Sequence, residues 1–248
     1  MDLGLSGRTA AVAGASAGLG LATAQALAAE GVTVAICGRD RERIEAAART
    51  VGEGAVPIVA DLSAPDGATA FVEEATGALG RIDVLVPNAG GPPTGTFAST
   101  PLDAYLPALQ LNLLATVAMC QAAVPAMVAR GWGRVVAITS ASVRQPLPSL
   151  ILSNTARAGV TGFLKTLSLE VAAHGVTVNS VQPGLHATDR LKHLYGDDTS
   201  AAAKDVPTRT VGRPEDFGAV VAFLCSDAAR FVTGTALPVD GGNTRGLQ

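Results

Sequence analysis

Short apolar runs alternate with longer segments of helical pattern along the whole chain, and this alternation limits the available folds more than any other feature. Seven runs are predicted as strands, at 9–14, 32–38, 55–61, 81–88, 133–140, 175–184 and 234–242. Helices are predicted between them, at 20–31, 39–52, 67–80, 102–130, 150–173 and 214–226. Because strands separated by helices form right-handed crossovers, the pattern predicts an α/β protein with a parallel sheet.

The predicted strands are almost continuously apolar, which is typical of a sheet covered by helices on both faces. No linker or repeat divides the 248 residues, so we expect one Rossmann-like, doubly wound domain with a seven-stranded parallel sheet. Residues 185–212 differ, because they are polar and weakly patterned. A connection of that length is more often a binding lid than a plain loop, and a substrate lid is expected there.

Composition excludes several other classes of protein. Hydrophobic residues make up 48% and charged residues 16%, which is typical of a globular chain and not of a disordered one. A net charge of −3 gives no strong field, so neither nucleic acid nor a membrane surface is expected as a partner. No run of about 18 apolar residues is apparent, and the first residues lack the pattern of a signal peptide.

The chain has three widely spaced cysteines, Cys37, Cys120 and Cys225, each within an apolar segment. An odd, scattered set argues against a disulfide framework, so buried reduced thiols and a cytoplasmic location are expected. The three histidines show no spacing typical of a zinc site, and no metal is expected.

A glycine-rich turn, AGASAGLG at Ala13–Gly20, joins the first predicted strand to the first predicted helix. Gly14, Gly18 and Gly20 let the backbone turn tightly and approach a diphosphate, while the start of the helix supplies amide donors. A glycine-rich turn alone is a weak signal, and its position between a first strand and a first helix strengthens it. The turn therefore predicts a nucleotide site.

Further motifs follow the turn in a fixed order: Asp61-Leu62, Asn88-Ala89-Gly90, Asn112, Ser140, Pro183-Gly184, Thr188 and the C-terminal FVTG and DGG. Together with the turn they resemble the classical short-chain dehydrogenase/reductase family over essentially the whole chain. The forms NAGGPP and S-N-x-x-R-A resemble a divergent branch close to the 3-oxoacyl-carrier-protein reductases. The resemblance implies a nicotinamide cofactor and oxidoreductase chemistry. It implies cofactor contacts from Gly14, Ser16, Gly18, Leu19, Gly20, Arg39, Asp61, Leu62, Asn88, Ala89, Gly90, Arg157, Pro183, Gly184, His186 and Thr188.

The end of the second strand bears on which nicotinamide cofactor binds. A carboxylate there would bind both ribose hydroxyls and repel a 2′-phosphate, but the sequence has Gly38-Arg39. Arg39 can contact that phosphate, which favours NADP(H) over NAD(H). Two alternatives remain: Arg39 is a solvated member of the run RDRER, or Asp40 turns inward and favours NAD(H). Ala17 argues against NADP(H), because many NADP-dependent relatives carry a second basic residue in the glycine turn.

The family's catalytic Tyr and Lys are replaced. The resemblance places the tyrosine thirteen residues after Ser140, which is Ser153, and the lysine four residues further, which is Arg157. Residues four apart share one face of a helix, so both side chains should still point to the same cleft. Lys165 lies two turns beyond Arg157, roughly 12 Å along the axis, which is too far for it to substitute.

The replacement removes the acidic phenol that protonates a carbonyl oxygen, because serine is a far weaker acid and arginine keeps its proton. Loss of a general acid typically costs about 10²- to 10⁴-fold in rate. Asn112, Ser140, Ser153 and Arg157 are the remaining candidates for catalysis: Arg157 as a fixed charge beside an oxyanion, the two serines as hydrogen-bond donors to it, and Asn112 as the holder of a water relay that the family implies. His186 and Tyr195 are weaker candidates for the acid.

The first hypothesis is an NADP-dependent oxidoreductase that acts on a 3-oxoacyl thioester or similar small ketone, or on the matching alcohol. The second is an enzyme on the same scaffold that reduces a C=C bond or an iminium, or catalyses a non-redox step. The third is a non-catalytic NADP(H)-binding protein. Two further departures from the family, Ala13 for threonine and Pro87 for asparagine, concern the scaffold. A homotetramer, or failing that a dimer, is expected through the apolar segments 102–130 and 155–173.

Overall fold

A computed structural model describes residues 2–196 and 200–247 of the chain. In that part, seven parallel strands form one sheet in the order β3-β2-β1-β4-β5-β6-β7. The strands are β1 Thr9–Val12, β2 Thr33–Gly38, β3 Val56–Val59, β4 Val84–Val86, β5 Gly133–Ile138, β6 Val176–Pro183 and β7 Ala236–Val239. The predicted Rossmann-like α/β fold is confirmed.

Helices cover both faces of the sheet. They are α1 Gly18–Ala29, α2 Arg41–Val51, α3 Pro65–Leu79, α4 Tyr105–Leu109, α5 Ala115–Arg130, α6 Ile151–Val171, α7 Asp189–Tyr195, α8 Ser200–Ala203 and α9 Pro214–Cys225. One core cluster lies between the sheet and α3, α5 and α6, and the other lies between the sheet and α1, α2 and α9. Because both faces are buried, strand residues of either orientation are apolar, which explains the continuous apolar runs in the sequence.

β2 and β3 lie on one side of β1, and β4 to β7 lie on the other side. The order in which strands are added to the sheet therefore changes direction between β1 and β4, although all strands stay parallel. In an open parallel sheet such a reversal leaves a crevice outside the carboxyl ends of the strands. The site described below lies in this crevice.

Several predicted boundaries are corrected. β1 ends at Val12 and not at 14, and β4 covers only Val84–Val86 of the predicted 81–88, because the chain beyond them turns to form the crevice. The predicted helix 102–130 is divided by a π-helical turn at Gln110–Leu114. The weakly patterned segment 185–212 contains α7 and α8, so it is more ordered than its sequence pattern indicates.

The stretch Leu102–Arg130 is long and apolar enough, by length and composition, to cross a membrane, which corrects the expectation that no segment would be. Half of its apolar window is buried inside the fold, where α5 packs against α3. A core helix satisfies the same test of length and composition.

The three cysteines are free thiols buried in the core, as predicted. Burial raises the pKa of each to about 12, so they remain protonated at neutral pH.

Candidate active site

A cavity of about 390 Å³ opens at the carboxyl ends of β1, β4, β5 and β6, and α7 lies along its side. It brings together residues that are far apart in the sequence. The predicted site residues that line it are Gly14, Gly18, Leu19, Gly20, Asn88, Ala89, Gly90, Ser140, Ser153, Arg157, Pro183, Gly184, His186 and Thr188.

The glycine turn forms one wall of the cavity from backbone alone. Gly14 and Gly18 have φ of +57° and +60°, a region that side chains rarely adopt. A Cβ on Gly20 would lie 2.5 Å from the Gly14 carbonyl oxygen, so no side chain fits there without a shift. Asn88 Nδ2 donates to the carbonyl oxygens of Ala13 (3.2 Å) and Gly14 (3.1 Å), which ties the turn to the end of β4.

The start of α1 faces the same cavity with its backbone amides uncapped. Its N-cap is Ala17, which has no side chain able to accept from the first turn. Uncapped amides at a helix start, approached closely by glycine backbone, are suited to a diphosphate. The residues therefore fit the cofactor that the sequence implies, with Gly18, Leu19 and Gly20 in position to hold its phosphates.

Four predicted cofactor residues lie outside this cavity, toward the ends of β2 and β3: Ser16, Arg39, Asp61 and Leu62. The Ser16 side chain lies beside Gly38, since a Cβ on Gly38 would be 3.1 Å from Ser16 Cβ. Arg39 is exposed, whereas Asp40 caps α2 by accepting from Arg43 N at 2.9 Å.

Asp61 and Leu62 make contacts with neighbouring parts of the protein. Asp61 accepts from Ser63 N at 3.0 Å. The Leu62 side chain is buried in the core, so a cofactor would meet its backbone and not its side chain.

Arg157 projects from α6 into the base of the cavity and is buried. Its guanidinium donates three hydrogen bonds to backbone carbonyls: Nη1 to Ile138 (3.0 Å) and Thr139 (3.2 Å), and Nη2 to Ala89 (3.1 Å). It therefore joins the end of β5 to the segment that follows β4. Pro87 also contributes here, because its carbonyl accepts from Ile138 N at 2.9 Å although it has no amide to donate.

Burial and, to a smaller extent, the nearby positive charge of Arg190 together lower the pKa of Arg157 to about 10. Arg157 still carries its charge at neutral pH. No carboxylate among the described residues forms an ion pair with it. The base of the cavity thus holds a fixed cation that is balanced only by carbonyl dipoles.

Ser153 is buried on α6, one turn before Arg157, and both line the cavity as their spacing predicts. Ser140, at the end of β5, donates to Ser142 Oγ at 2.9 Å and accepts from Ser142 N at 3.1 Å. The short turn after β5 therefore fixes the Ser140 hydroxyl at the cavity wall.

Asn112 does not line the cavity. It lies in the π-helical turn, where its Nδ2 donates to Ala108 O at 3.3 Å and its Oδ1 is buried without a partner. A buried acceptor without a partner is costly unless water or a ligand satisfies it. Lys165 is held away from the site, as expected, because its Nζ donates to Gly234 O at 3.1 Å.

His186 is buried against α9, with its ring 5.1 Å from that of Phe217 in an edge-to-face arrangement. Its Nδ1 lies 3.3 Å from Gly184 O. Burial lowers its pKa, so the neutral form prevails at neutral pH. The Thr188 side chain lies next to Gly18, across the cavity mouth, and Tyr195 lines the cavity from the end of α7.

Sequence reasoning missed Arg190, the second residue of α7. Its guanidinium lines the cavity, packs against Gly91 and donates through Nη2 to Pro92 O at 3.2 Å. Nothing in the weakly patterned segment 185–212 distinguishes it from other surface cations, because its partner lies 98 positions earlier in the chain. Ser142, which bonds to Ser140 two residues earlier, was also missed. Among the described residues, no group of three or more His, Cys, Asp or Glu side chains is placed to hold a metal.

Comparison with known proteins gives the family. A family model described as "Enoyl-(Acyl carrier protein) reductase" matches residues 14–244. The chain is 32% identical over 238 residues to 3-oxoacyl-[acyl-carrier-protein] reductase FabG of Haemophilus influenzae, covering 96% of this chain and 98% of that one. The chain belongs to the short-chain dehydrogenase/reductase family of oxidoreductases and is similar to its FabG-type members.

Two solved structures are informative neighbours. L-sorbose reductase from Gluconobacter frateurii, complexed with NADPH and L-sorbose, superposes with a TM-score of 0.93 at 32% identity, over 100% of both chains. A short chain oxidoreductase from Pseudomonas aeruginosa PAO1, described as containing an atypical catalytic center, has a TM-score of 0.91 at 30% identity, over 98% of this chain and 100% of that one.

Proposed function

We propose that the protein is an NADP(H)-dependent oxidoreductase that interconverts a carbonyl and an alcohol at an atypical centre formed by Ser140, Ser153 and Arg157. The observation that carries the proposal is that these three residues line the same cavity as the glycine turn and the uncapped start of α1. Binding of the cofactor and of a polar reacting group would therefore take place in one enclosure.

The nicotinamide cofactor, when bound, supplies or accepts the hydride. Ser153 donates a hydrogen bond to the substrate oxygen, and Ser140 does so when its hydroxyl turns from Ser142 Oγ toward the cavity. Arg157 provides a preorganised positive charge as that oxygen becomes negative. Arg157 does not act as the acid, because a pKa of about 10 keeps its proton in place at neutral pH. The proton comes from water, and the unpartnered Oδ1 of Asn112 supports a role for that side chain in holding it.

NADP(H) is favoured over NAD(H) by the end of β2. Arg39 is exposed there and Ser16 lies beside Gly38, so a cation and a hydroxyl are available to a 2′-phosphate. Asp40, which would favour NAD(H) if it turned inward, is already occupied as the N-cap of α2. The sorbose reductase neighbour was solved with NADPH, which adds support.

The favoured substrate is a 3-oxoacyl thioester or a similar small ketone, or the corresponding alcohol. Support comes from the FabG relative, whose name gives a 3-oxoacyl substrate, and from the reductase of L-sorbose. A second candidate is reduction of a C=C bond or an iminium, or a non-redox step on the same scaffold. The matching family description names enoyl reduction, and an arginine with serines also stabilises an enolate. A protein that binds NADP(H) without turnover is the third.

The decisive experiment follows NADPH oxidation at 340 nm with a panel of 3-oxo compounds and, separately, enoyl compounds. We expect slow but measurable reduction of a 3-oxo compound. The double variant Ser153→Tyr/Arg157→Lys restores the general acid and should raise that rate about 10²-fold or more. No cofactor turnover with any ketone or alcohol, in wild type and double variant alike, would rule out the carbonyl reaction, and activity confined to enoyl compounds would favour the second candidate.

We propose that residues 185–212 act as a lid on this single dinucleotide-binding domain, and that the protein is cytoplasmic and binds neither nucleic acid nor membrane. A homotetramer, or else a dimer, is proposed through α4, α5 and α6. Exposed leucines on these helical segments support it: Leu106, Leu114 and Leu169 are 60%, 39% and 73% exposed. Light scattering that reports a monomer would contradict the assembly.

A further inference from the structure

Two guanidinium groups flank the segment 89–92, which follows β4 and borders the cavity. Arg157 donates to Ala89 O at the start of that segment, and Arg190 donates to Pro92 O at its end while packing against Gly91. Both line the cavity, and they are near enough for the charge of Arg190 to affect Arg157. Arg157 reaches the cavity from α6, and Arg190 reaches it from α7.

Arg157 is buried and Arg190 is exposed to solvent, and neither charge is balanced by an ion pair with a described carboxylate. Asp189 is the one carboxylate among the described residues that line the cavity, and no ion pair joins it to either arginine. Both arginines bond to backbone carbonyls, which leave several N–H groups of each fork free to donate. Two cations that repel each other in one cavity would be stabilised by an anion between them.

The anionic diphosphate of the cofactor has other partners. Its expected place is at the start of α1, where Gly18 lies beside Thr188. Arg190, two residues after Thr188, reaches instead to the opposite side of the cavity mouth, against Gly91 and Pro92. An anion held by Arg190 would therefore belong to the second ligand in the cavity, the substrate.

We propose that the substrate carries a carboxylate close to its reacting carbonyl, and that Arg190 is the specificity-determining residue that binds this carboxylate over the fixed charge of Arg157. This inference rests on the proposed carbonyl–alcohol chemistry. Of the small ketones named there it selects an oxo acid, in place of the 3-oxoacyl thioester, which has no free carboxylate. The carboxylate receives charge-assisted hydrogen bonds from Arg190, which positions the carbonyl toward Ser140 and Ser153.

The test compares two ketones that differ in charge: acetoacetate and its neutral methyl ester. Reduction of either consumes one NADPH and one proton and yields the 3-hydroxy product with NADP⁺. For the wild type we expect kcat/KM for acetoacetate to exceed that for the ester by about tenfold. Arg190→Gln should abolish this preference mainly through KM, and Arg190→Lys should restore part of it because charge is retained without the planar fork.

Lys192→Gln is the matched control, since Lys192 is an exposed cation on the same helix that does not line the cavity. It should leave the preference for acetoacetate unchanged. Equal use of acid and ester by the wild type, or an acid preference that survives Arg190→Gln, would overturn the proposal. A tenfold loss of NADPH affinity in Arg190→Gln with the acid preference intact would also overturn it, because the anion would then be the cofactor diphosphate.

A binding measurement separates failure of this inference from failure of the proposed function. Acetoacetate and methyl acetoacetate are titrated by calorimetry into protein saturated with NADP⁺, where no reduction takes place. Tighter binding of the acid that disappears in Arg190→Gln supports the carboxylate site even if no variant turns over either ketone. Wild-type protein that binds neither compound, or both equally, refutes it.

Discussion

The two sides of the cavity are built from different parts of the chain. On the proposed cofactor side, the wall is backbone: Gly14 and Gly18 have positive φ, Gly20 leaves no space for a Cβ, and the first amides of α1 are uncapped. On the proposed substrate side, the groups that face the cavity are chiefly the side chains of Ser153, Arg157 and, from α7, Arg190.

This difference bears on the departures from the family pattern that the resemblance implies. A backbone wall depends on φ values that only glycine adopts freely, so its glycines cannot change without moving the turn. A side-chain wall can change its chemistry if another group takes over the structural contacts. Arg157 makes such structural contacts here, because its guanidinium joins Ile138, Thr139 and Ala89 through their carbonyls. The proposed substrate side thus keeps a hydrogen-bonded frame with Ser153 and Arg157 at the two positions where the resemblance implies Tyr and Lys.

Arg157→Met tests whether the fold depends on the three hydrogen bonds from Arg157 to backbone carbonyls. The variant removes three donors to backbone carbonyls, and the cost is partly offset because a cation no longer has to be buried. We expect the free energy of unfolding to fall by about 2–4 kcal/mol, measured by urea denaturation. Arg41→Met, at an exposed position on α2, should change it by less than about 0.5 kcal/mol. An Arg157→Met variant as stable as the wild type would show that Arg157 has no structural role.

Gly20→Ala is the corresponding test on the cofactor side. The added methyl would lie 2.5 Å from Gly14 O and 2.9 Å from Asn88 Nδ2, so the turn must shift. We expect a loss of about 1–3 kcal/mol in stability and at least a tenfold loss of NADPH affinity by fluorescence titration. Gly77→Ala is the control, because its Cβ meets nothing within 4 Å on α3. It should be neutral or stabilising, since alanine is the better helix former.

The frame of the cavity was predictable from the sequence, and its substrate side was predictable only in part. Seven apolar runs with helices between them determine a parallel sheet, and the position of AGASAGLG determines where a phosphate would bind. The four-residue spacing of Ser153 and Arg157 places both on one face of α6. These features follow from local periodicity, which a sequence displays directly.

The remainder depends on tertiary contacts that local sequence does not record. The backbone partners of Arg157 lie 18, 19 and 68 positions away, and the partner of Arg190 lies 98 positions away. The π-helical turn around Asn112 has no composition that distinguishes it from ordinary helix. Leu62 was predicted as a cofactor contact from resemblance, and the burial of its side chain in the core leaves only its backbone for that contact.

Arg39→Ser sharpens the comparison at the end of β2. There the proposed contact with the cofactor 2′-phosphate is made by a side chain and not by the backbone. Loss of a charge-assisted contact to the 2′-phosphate should lower kcat/KM for NADPH about tenfold and leave that for NADH unchanged. The effect should shrink at high salt, because Arg39 is exposed. Arg41→Ser, two residues further, is the control. Equal changes with both cofactors would exclude recognition of the phosphate by Arg39.

His186 gives the smallest effect and shows whether a titratable group in the cavity wall limits stability in acid. Burial lowers its pKa from 6.5, opposed by the Gly184 carbonyl and by the charges of Asp216 and Asp240. The unfolded chain therefore takes up a proton near pH 6.5 that the folded chain resists, so this contribution to stability is complete above about pH 6.5 and is lost below it. His186→Leu keeps an apolar contact with Phe217 and removes the titration. We expect the fall in Tm between pH 7.5 and 5.5 to be smaller in His186→Leu than in wild type, whereas His193→Gln, on exposed α7, should behave as wild type. If all three proteins lose the same Tm over this interval, the acid sensitivity arises elsewhere, and His186 serves the site only by packing.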